Sequence, residues 1–207
     1  MAQKTDRRVR RTKGLLQSSL LELMKTKPVN SITIKELVDF ADINRSTFYL
    51  HYHSIYEILE EMEQDLLDQV CQVFDQYPDD YNEEDSFPFI SAMLRIVFDN
   101  METCNILLSP KYDTGFTEKV QALLDQKVAE RMQHVLGSDF KVSSYLSSFY
   151  IAGCMGMLQT WQFDENRPSP EYMARLCYGL IMNTVKQMKQ AASEQRAPWD
   201  ERGVCNG

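Results

Sequence analysis

Ser31-Ile-Thr-Ile-Lys-Glu-Leu-Val-Asp-Phe-Ala-Asp-Ile-Asn-Arg-Ser-Thr-Phe-Tyr-Leu-His-Tyr52 decides the fold, because two short helical patterns meet in it across a tight turn. Thr33 and Glu36 have capping-box spacing, and Ile32 and Leu37 fall at the staple positions on either side of that cap. Ile34, Leu37, Val38 and Ala41 then recur at i, i+3, i+4 and i+7, one apolar stripe on a first helix. Asp42 stands where the chain must turn, and Asp tolerates left-handed backbone better than most residues, though less well than Gly. Asn44 suits an N-cap, with its side-chain oxygen predicted to accept from the amides of Ser46 and Thr47. Phe48 and Tyr52, four apart, anchor a second helix inward. Arg45, Ser46, Thr47, Tyr49, Leu50 and His51 are left on or beside its outward face. One supporting helix and one free to lie in a major groove is the layout of a helix-turn-helix.

Charge points the same way once the chain is divided. The net charge is −8, yet residues 1–53 carry ten Lys or Arg against five acids, a head of +5 on a body of −13. That asymmetry suits a protein of which one end approaches phosphate; the plainer alternative is a solvated basic helix. Residues 1–6 read as a loose arm, and residues 7–26 as a helix with Leu15, Leu16, Leu20, Leu23 and Met24 on one face. Arg7, Arg8, Arg10, Arg11 and Lys13 crowd its N-terminal end against the helix dipole, so helix stability does not account for them, and phosphate does. Lys27-Pro28 is expected to end this helix.

The run Ile34–Leu59 resembles the N-terminal domain of the tetracycline-repressor (TetR) family of bacterial transcription regulators. The resemblance lies in Ile34-Lys-Glu-Leu-Val38, Ala41-Asp-Ile-Asn44, Thr47-Phe-Tyr-Leu-His-Tyr52 and Ile58-Leu59, and it covers residues 7–60. Two positions depart from the family pattern. Asp42 replaces its turn glycine, and Ile55 replaces a lysine whose family role is a backbone-phosphate contact.

Beyond the head, Ile55, Ile58, Leu59, Met62, Leu66, Val70, Val73 and Phe74 mark a long amphipathic helix from about Ser54, a lever between body and head. Residues 77–88 read as a loop, whose acids at 79, 80 and 83–85 lack the spacing and glycine of a calcium loop. Helical patterns follow at about 88–107, 115–136, 139–163 and 169–192, with no convincing strand alternation, and a polar tail ends the chain. The fold class is therefore all-α: a three-helix head, 1–53, joined by a long helix to a helical body, 54–192, and a flexible tail, 193–207. The five cysteines are odd in number and scattered, which argues against a disulfide framework or structural zinc and favours a reducing cytoplasm. The longest apolar run, Phe149–Leu158, is too short to span a bilayer, and no membrane partner is expected. No phosphate loop, nucleophile–base pair or metal-ligand spacing is present, so no enzyme, cofactor or metal is expected. His51-Tyr-His53 is better read as a base or phosphate contact at the end of the second helix than as a metal site.

Double-stranded DNA is thus the expected partner. Thr33, Thr47 and Tyr49 are assigned to phosphates, which set register without reading sequence. Arg45, Ser46, Leu50 and His51 are assigned to base edges, with Arg45 favouring guanine and Leu50 a thymine methyl. Arg7, Arg10 and Arg11 add salt-sensitive attraction. Two heads on a palindrome require a homodimer, and the last two helices mix small with large residues. The resemblance implies that these helices form a four-helix bundle with a partner copy; ordinary intrachain core is the alternative. Tyr150, Gly153, Met157, Trp161, Leu176, Leu180 and Thr184 are assigned to that interface. Met93, Phe98, Met101, Phe116, Tyr145 and Phe149 are candidates for an effector cavity, and plain core for the same residues is the competing reading. The resemblance implies repression relieved by a small hydrophobic effector. The Leu-Ser-Pro-Lys turn at 108–111 resembles regulators that answer to a protein partner, which keeps open an activator or adaptor controlled by such a partner, while Asp42 and Ile55 keep open an adaptor that has lost DNA binding.

Overall fold

A computed structural model gives the chain as helices throughout; it describes residues 2–77, 83–109, 115–136 and 143–193. Among these residues there is no strand. The elements are α1 (Ala2–Met24), a 3-10 turn (Val29–Ser31), α2 (Ile34–Phe40), α3 (Arg45–Tyr49), α4 (Ile55–Gln76), α5 (Glu83–Asp99), α6 (Met101–Leu107), α7 (Phe116–Leu136), α8 (Ser143–Phe163) and α9 (Pro170–Ser193). No described helix is long and apolar enough to cross a membrane.

The turn between α2 and α3 follows from backbone hydrogen bonding. Ala41 caps α2, Asp42 takes φ 50°, and the amides of Asp42 and Ile43 donate back to the carbonyls of Asp39 and Val38. That is the two-bond Schellman ending, with its left-handed position filled by Asp in place of Gly. Asn44 does cap α3, but not through its side chain. Its backbone carbonyl accepts from Thr47 (2.8 Å) and Phe48 (3.2 Å), correcting the expected side-chain bond.

Four other boundaries differ from the sequence reading. α1 begins at Ala2, so the expected loose arm is helical; no residue between 2 and 7 is a Pro or Gly that would stop it. It ends at Met24, short of the proline, and the amides of residues 25–27 close a loose turn onto Leu21 and Leu23. α5 begins at Glu83 inside the expected loop and holds Pro88. Near a helix start the missing proline N–H removes only one bond, to the carbonyl of residue 84. The helix expected over 88–107 is two helices, interrupted where Asn100 (φ −114°, ψ 31°) leaves helical geometry. Residues 79, 80, 110, 111 and 194–207, on which other readings fell, lie outside the described residues.

Contacts divide the chain into two compact units: Met1–Val70 with Asp99–Val120, and Cys71–Phe98 with Gln121–Gly207. In the first, Leu16, Leu20 and Met24 of α1, Leu37 of α2, Phe48 of α3 and Ile58 of α4 are fully buried, with Leu107 and Phe116. Burying each such side chain contributes about 1.5–3 kcal/mol. Three ion pairs hold this unit's helices together: Lys13–Glu61 (2.7 Å), Lys25–Glu102 (2.6 Å) and Lys119–Glu63 (2.6 Å). In the second unit, Ile90 and Leu94 of α5, Ile151, Leu158 and Trp161 of α8, and Met173, Ala174, Cys177 and Met182 of α9 are buried.

The Schellman turn yields a stability prediction. Asp42→Gly removes the Cβ penalty at φ 50° and should leave stability unchanged or higher. Asp42→Val, β-branched at the same φ, should lose on the order of 1–2 kcal/mol in urea unfolding. Equal stabilities for the two variants would contradict the left-handed backbone at this position.

Candidate nucleic-acid interface

The local sequence presents α3 from both ends. At the front of α2, Thr33 Oγ1 accepts from the Glu36 amide (3.2 Å), while the Thr33 amide donates to Glu36 Oε2 (2.9 Å), a complete capping box. The staple residues Ile32 and Leu37 are both buried. Lys27 Nζ reaches Glu36 Oε1 at 2.6 Å. The Lys27 bond first, then those from Thr33, hold the Glu36 carboxyl well below its ordinary 4.5, at about 2.

α3 is a single turn of helix, and what fixes it is tertiary. Phe48 has no exposed surface and Tyr52 retains 2 %. Phe48 meets Tyr49 edge-on at 5.3 Å and Tyr52 at 6.2 Å between ring centroids. Tyr52 lies past the end of α3, held by its amide's bond to the Phe48 carbonyl (3.0 Å). The Lys13 ammonium of α1 sits 5.1 Å from the Tyr52 ring centre and pairs with Glu61 of α4. Burial, reinforced by the Glu61 carboxylate, pushes the Tyr52 hydroxyl's ionisation upward. The start of α4 is capped by Ser54, whose Oγ accepts from the Glu57 amide (3.2 Å), while Glu57 Oε2 accepts from the His53 amide (2.7 Å).

With its inner side so held, α3 turns Arg45, Ser46, Tyr49 and Leu50 to the exterior, Leu50 being 78 % exposed; Thr47 and His51 are half-buried beside them. Arg45 and Tyr49 form a unit: a guanidinium N–H donates to the Tyr49 hydroxyl (3.2 Å), and the guanidinium lies 5.6 Å from that ring's centre. Arg7, Arg10 and Arg11 are exposed on α1. Thr33 is exposed, but its hydroxyl also donates to Glu36 (2.9 Å), so a phosphate would compete with the capping box for it. Lys13, Lys25 and Lys27, counted in the head's charge, are engaged by Glu61, by Glu22 and Glu102, and by Glu36. Exposed Lys35, at the start of α2, was not singled out from the sequence; its place one residue after Ile34's helix start was the available signal. Ile55, where the family carries lysine, is 6 % exposed and belongs to the core.

In the first unit, Met101 is half-buried and Phe116 buried. In the second, Met93 is half-buried, and Phe98, 6.3 Å from Trp161 between ring centres, is partly exposed. Tyr145 and Phe149 are 76 % and 69 % exposed, far from core positions within this chain. Of the residues assigned to a dimer interface, Gly153, Leu176 and Leu180 are exposed, Tyr150, Met157 and Thr184 half-buried. Trp161 is buried within its own chain, its indole N–H donating to the Pro168 carbonyl at 2.8 Å.

Residues 84–183 match the TetR family model described as "Transcriptional regulator C-terminal region". With the helix-turn-helix head in front of that region, the assignment follows. The chain belongs to the TetR family. Solved structures share the fold of this TetR-family chain. A TetR transcriptional regulator from Streptococcus agalactiae 2603V superposes with a TM-score of 0.60 at 22 % identity, over 87 % of this chain and 99 % of that one. A regulator of the TerR/AcrR family from Aquifex aeolicus VF5 gives 0.64 at 15 %, over 84 % and 99 %. The dihydroxyacetone kinase operon activator DhaS gives 0.58 at 14 %, over 84 % and 96 %. No curated protein matches the sequence. The TetR family is one of transcriptional regulators, which are generally non-enzymes.

The capping box gives a pH prediction. Because the Glu36 carboxyl ionises lower in the fold than its ordinary 4.5, its contribution is present above pH 4.5 and is lost as pH falls toward about 2. The urea midpoint of wild type should fall over that window more than that of Glu36→Gln. Parallel curves for the two proteins would show that the carboxylate does not cap α2.

Proposed function

We propose that this TetR-family regulator is a homodimeric, sequence-specific DNA-binding protein, most simply a repressor, that reads a palindromic operator through α3 in the major groove. The observation that carries the reading is the two-sidedness of α3: Phe48 and Tyr52 are locked inside, and Arg45, Ser46, Tyr49 and Leu50 stand outside. In functional terms residues 1–53 are the DNA-binding head, 54–192 the effector and dimerisation domain, and 193–207 a tail. Tyr49, Thr47, Thr33 and exposed Lys35 contact phosphate; Arg45, Ser46, Leu50 and His51 face bases; Arg7, Arg10 and Arg11 add counterion-release affinity. The cytoplasm, where bacterial DNA lies, is the expected location.

The dimer reading rests on apolar surface left uncovered in one chain. On α8, Tyr145, Phe149, Gly153, Gly156 and Phe163 are exposed at helical spacing, and a Cβ placed on either glycine would meet nothing. On α9, Tyr172, Leu176 and Leu180 form a second exposed stripe at four-residue steps. Two such stripes on consecutive helices suit a four-helix bundle with a second copy, in which Tyr145 and Phe149 contribute to the interface and not to a cavity. An effector bound to the body then acts through α4 by changing the spacing of the two heads. A second reading, activation in place of repression, draws on the similarity to DhaS, itself named as an operon activator.

Two experiments test this. Selection from a randomised duplex pool at moderate salt should enrich a palindrome with wild type and none with Arg45→Ala/Tyr49→Ala; no enrichment by folded, dimeric wild type would contradict the DNA-reading proposal. Leu176→Glu/Leu180→Glu should halve the mass measured by light scattering while circular dichroism stays helical, and an unchanged dimer would place the interface elsewhere.

A further inference from the structure

Arg45 and Tyr49 are the first and last residues of α3, four apart and on one side of its single turn. Arg45 Nη2 donates to the Tyr49 hydroxyl at 3.2 Å, and the guanidinium carbon lies over the same ring, 5.6 Å from its centre. The arginine tip is thereby held twice, by a hydrogen bond and by the attraction of its charge to the ring. The ring is itself braced from within. It meets Phe48, which has no exposed surface, at 5.3 Å with the two planes 86° apart. A line of contacts therefore runs from the core, through a tyrosine that is 43 % exposed, to a guanidinium at the surface.

Bonding capacity decides what this pair can do. A tyrosine hydroxyl has one O–H to donate and lone pairs with which to accept. Accepting from Arg45 leaves that O–H free for a phosphate oxygen. A guanidinium has five N–H groups, and spending one on Tyr49 leaves enough for two parallel bonds to O6 and N7 of guanine. A long side chain that is already placed also loses less freedom when it binds.

We propose that Tyr49 is the positioning residue for Arg45, and that the pair, not Arg45 alone, sets a preference for guanine at one base pair of the operator. In the complex the Tyr49 hydroxyl joins the two kinds of contact. It donates to a phosphate that sets register and accepts from the guanidinium that reads the base. The inference rests on α3 as the DNA-reading element.

Two measurements test it with Tyr49→Phe, which keeps the ring and its packing on Phe48 and removes the hydroxyl alone. Without DNA, NMR nitrogen relaxation at Arg45 Nε reads the mobility of the guanidinium in the full chain. Wild type should show a clearly higher order parameter than Tyr49→Phe. Equal values would overturn the proposal whether or not the protein binds DNA. With DNA, discrimination at each operator base pair is measured for wild type, Arg45→Ala, Tyr49→Phe and the double variant. Arg45→Ala should lose roughly tenfold or more at one base pair. Tyr49→Phe should lose about 2- to 10-fold at that same base pair, and nothing further there once Arg45 is replaced by alanine. A loss spread evenly over all positions, as from a phosphate contact alone, would overturn the proposal. Wild type selecting no operator at all would overturn the DNA reading of α3 and this proposal with it, a result distinct from the loss of one base preference.

Discussion

The position of α3 depends on one cation placed between two partners. The Lys13 ammonium lies between the face of Tyr52 and the carboxylate of Glu61, so a single side chain of α1 ties the residues just after α3 to α4. α3 itself is too short to be stable by its own hydrogen bonds. Its geometry is imposed by Phe48 and Tyr52 in the core and by Lys13 at the rim. Both charges of the pair remain about a third exposed, so solvent screens them; the cation–ring contact and the salt bridge together are worth on the order of 1 kcal/mol. That is small beside the burial of Phe48. Its effect lies in direction: it fixes which way the rim of α3 faces.

The same economy governs the remaining charges of the first unit. Three lysines of the basic head are spent on internal carboxylates, and the exposed arginines of α1, with Lys35 and Arg45, remain at the surface. Lys25–Glu102 ties α1 to α6, and Lys119–Glu63 ties the first turns of α7 to the middle of α4. Glu63 is 3 % exposed. Its partner Lys119 is half exposed, so the pair joins the middle of α4 to the first turn of α7 with solvent at one end. The first unit therefore contains more than the three head helices, and α6 and α7 have direct purchase on α1 and α4.

Local features were legible in the sequence because local rules determine them. The capping box at Thr33 and Glu36, the left-handed Asp42, the inward Phe48 and Tyr52 and the long α4 all follow from spacing within a few residues. The Asn44 side-chain cap failed where the Asn44 backbone carbonyl already takes the Thr47 amide, one of the two it was expected to serve. The break at Asn100 was invisible because apolar spacing runs through it, and Asn100 instead turns its side chain toward Gln69 of α4. Pairings between distant residues could not be read at all: charge counts place Lys13 with the phosphate contacts, whereas the fold gives it to Glu61. Large apolar residues of the body were the least readable, since core, cavity and subunit surface draw on the same side chains. Phe116 is buried and Phe149 exposed, though nothing in their types separates them.

Amide hydrogen exchange, comparing wild type with Lys13→Met, tests the central constraint most directly. Methionine keeps the aliphatic stem and removes the charge. If the Lys13 bridge fixes α3 against α1 and α4, protection should fall at residues 47–52 and at the first turns of α4, with α2 unchanged. Unchanged protection at Phe48 and Tyr52 in the variant would contradict the account and leave the aromatic core alone as the anchor of α3.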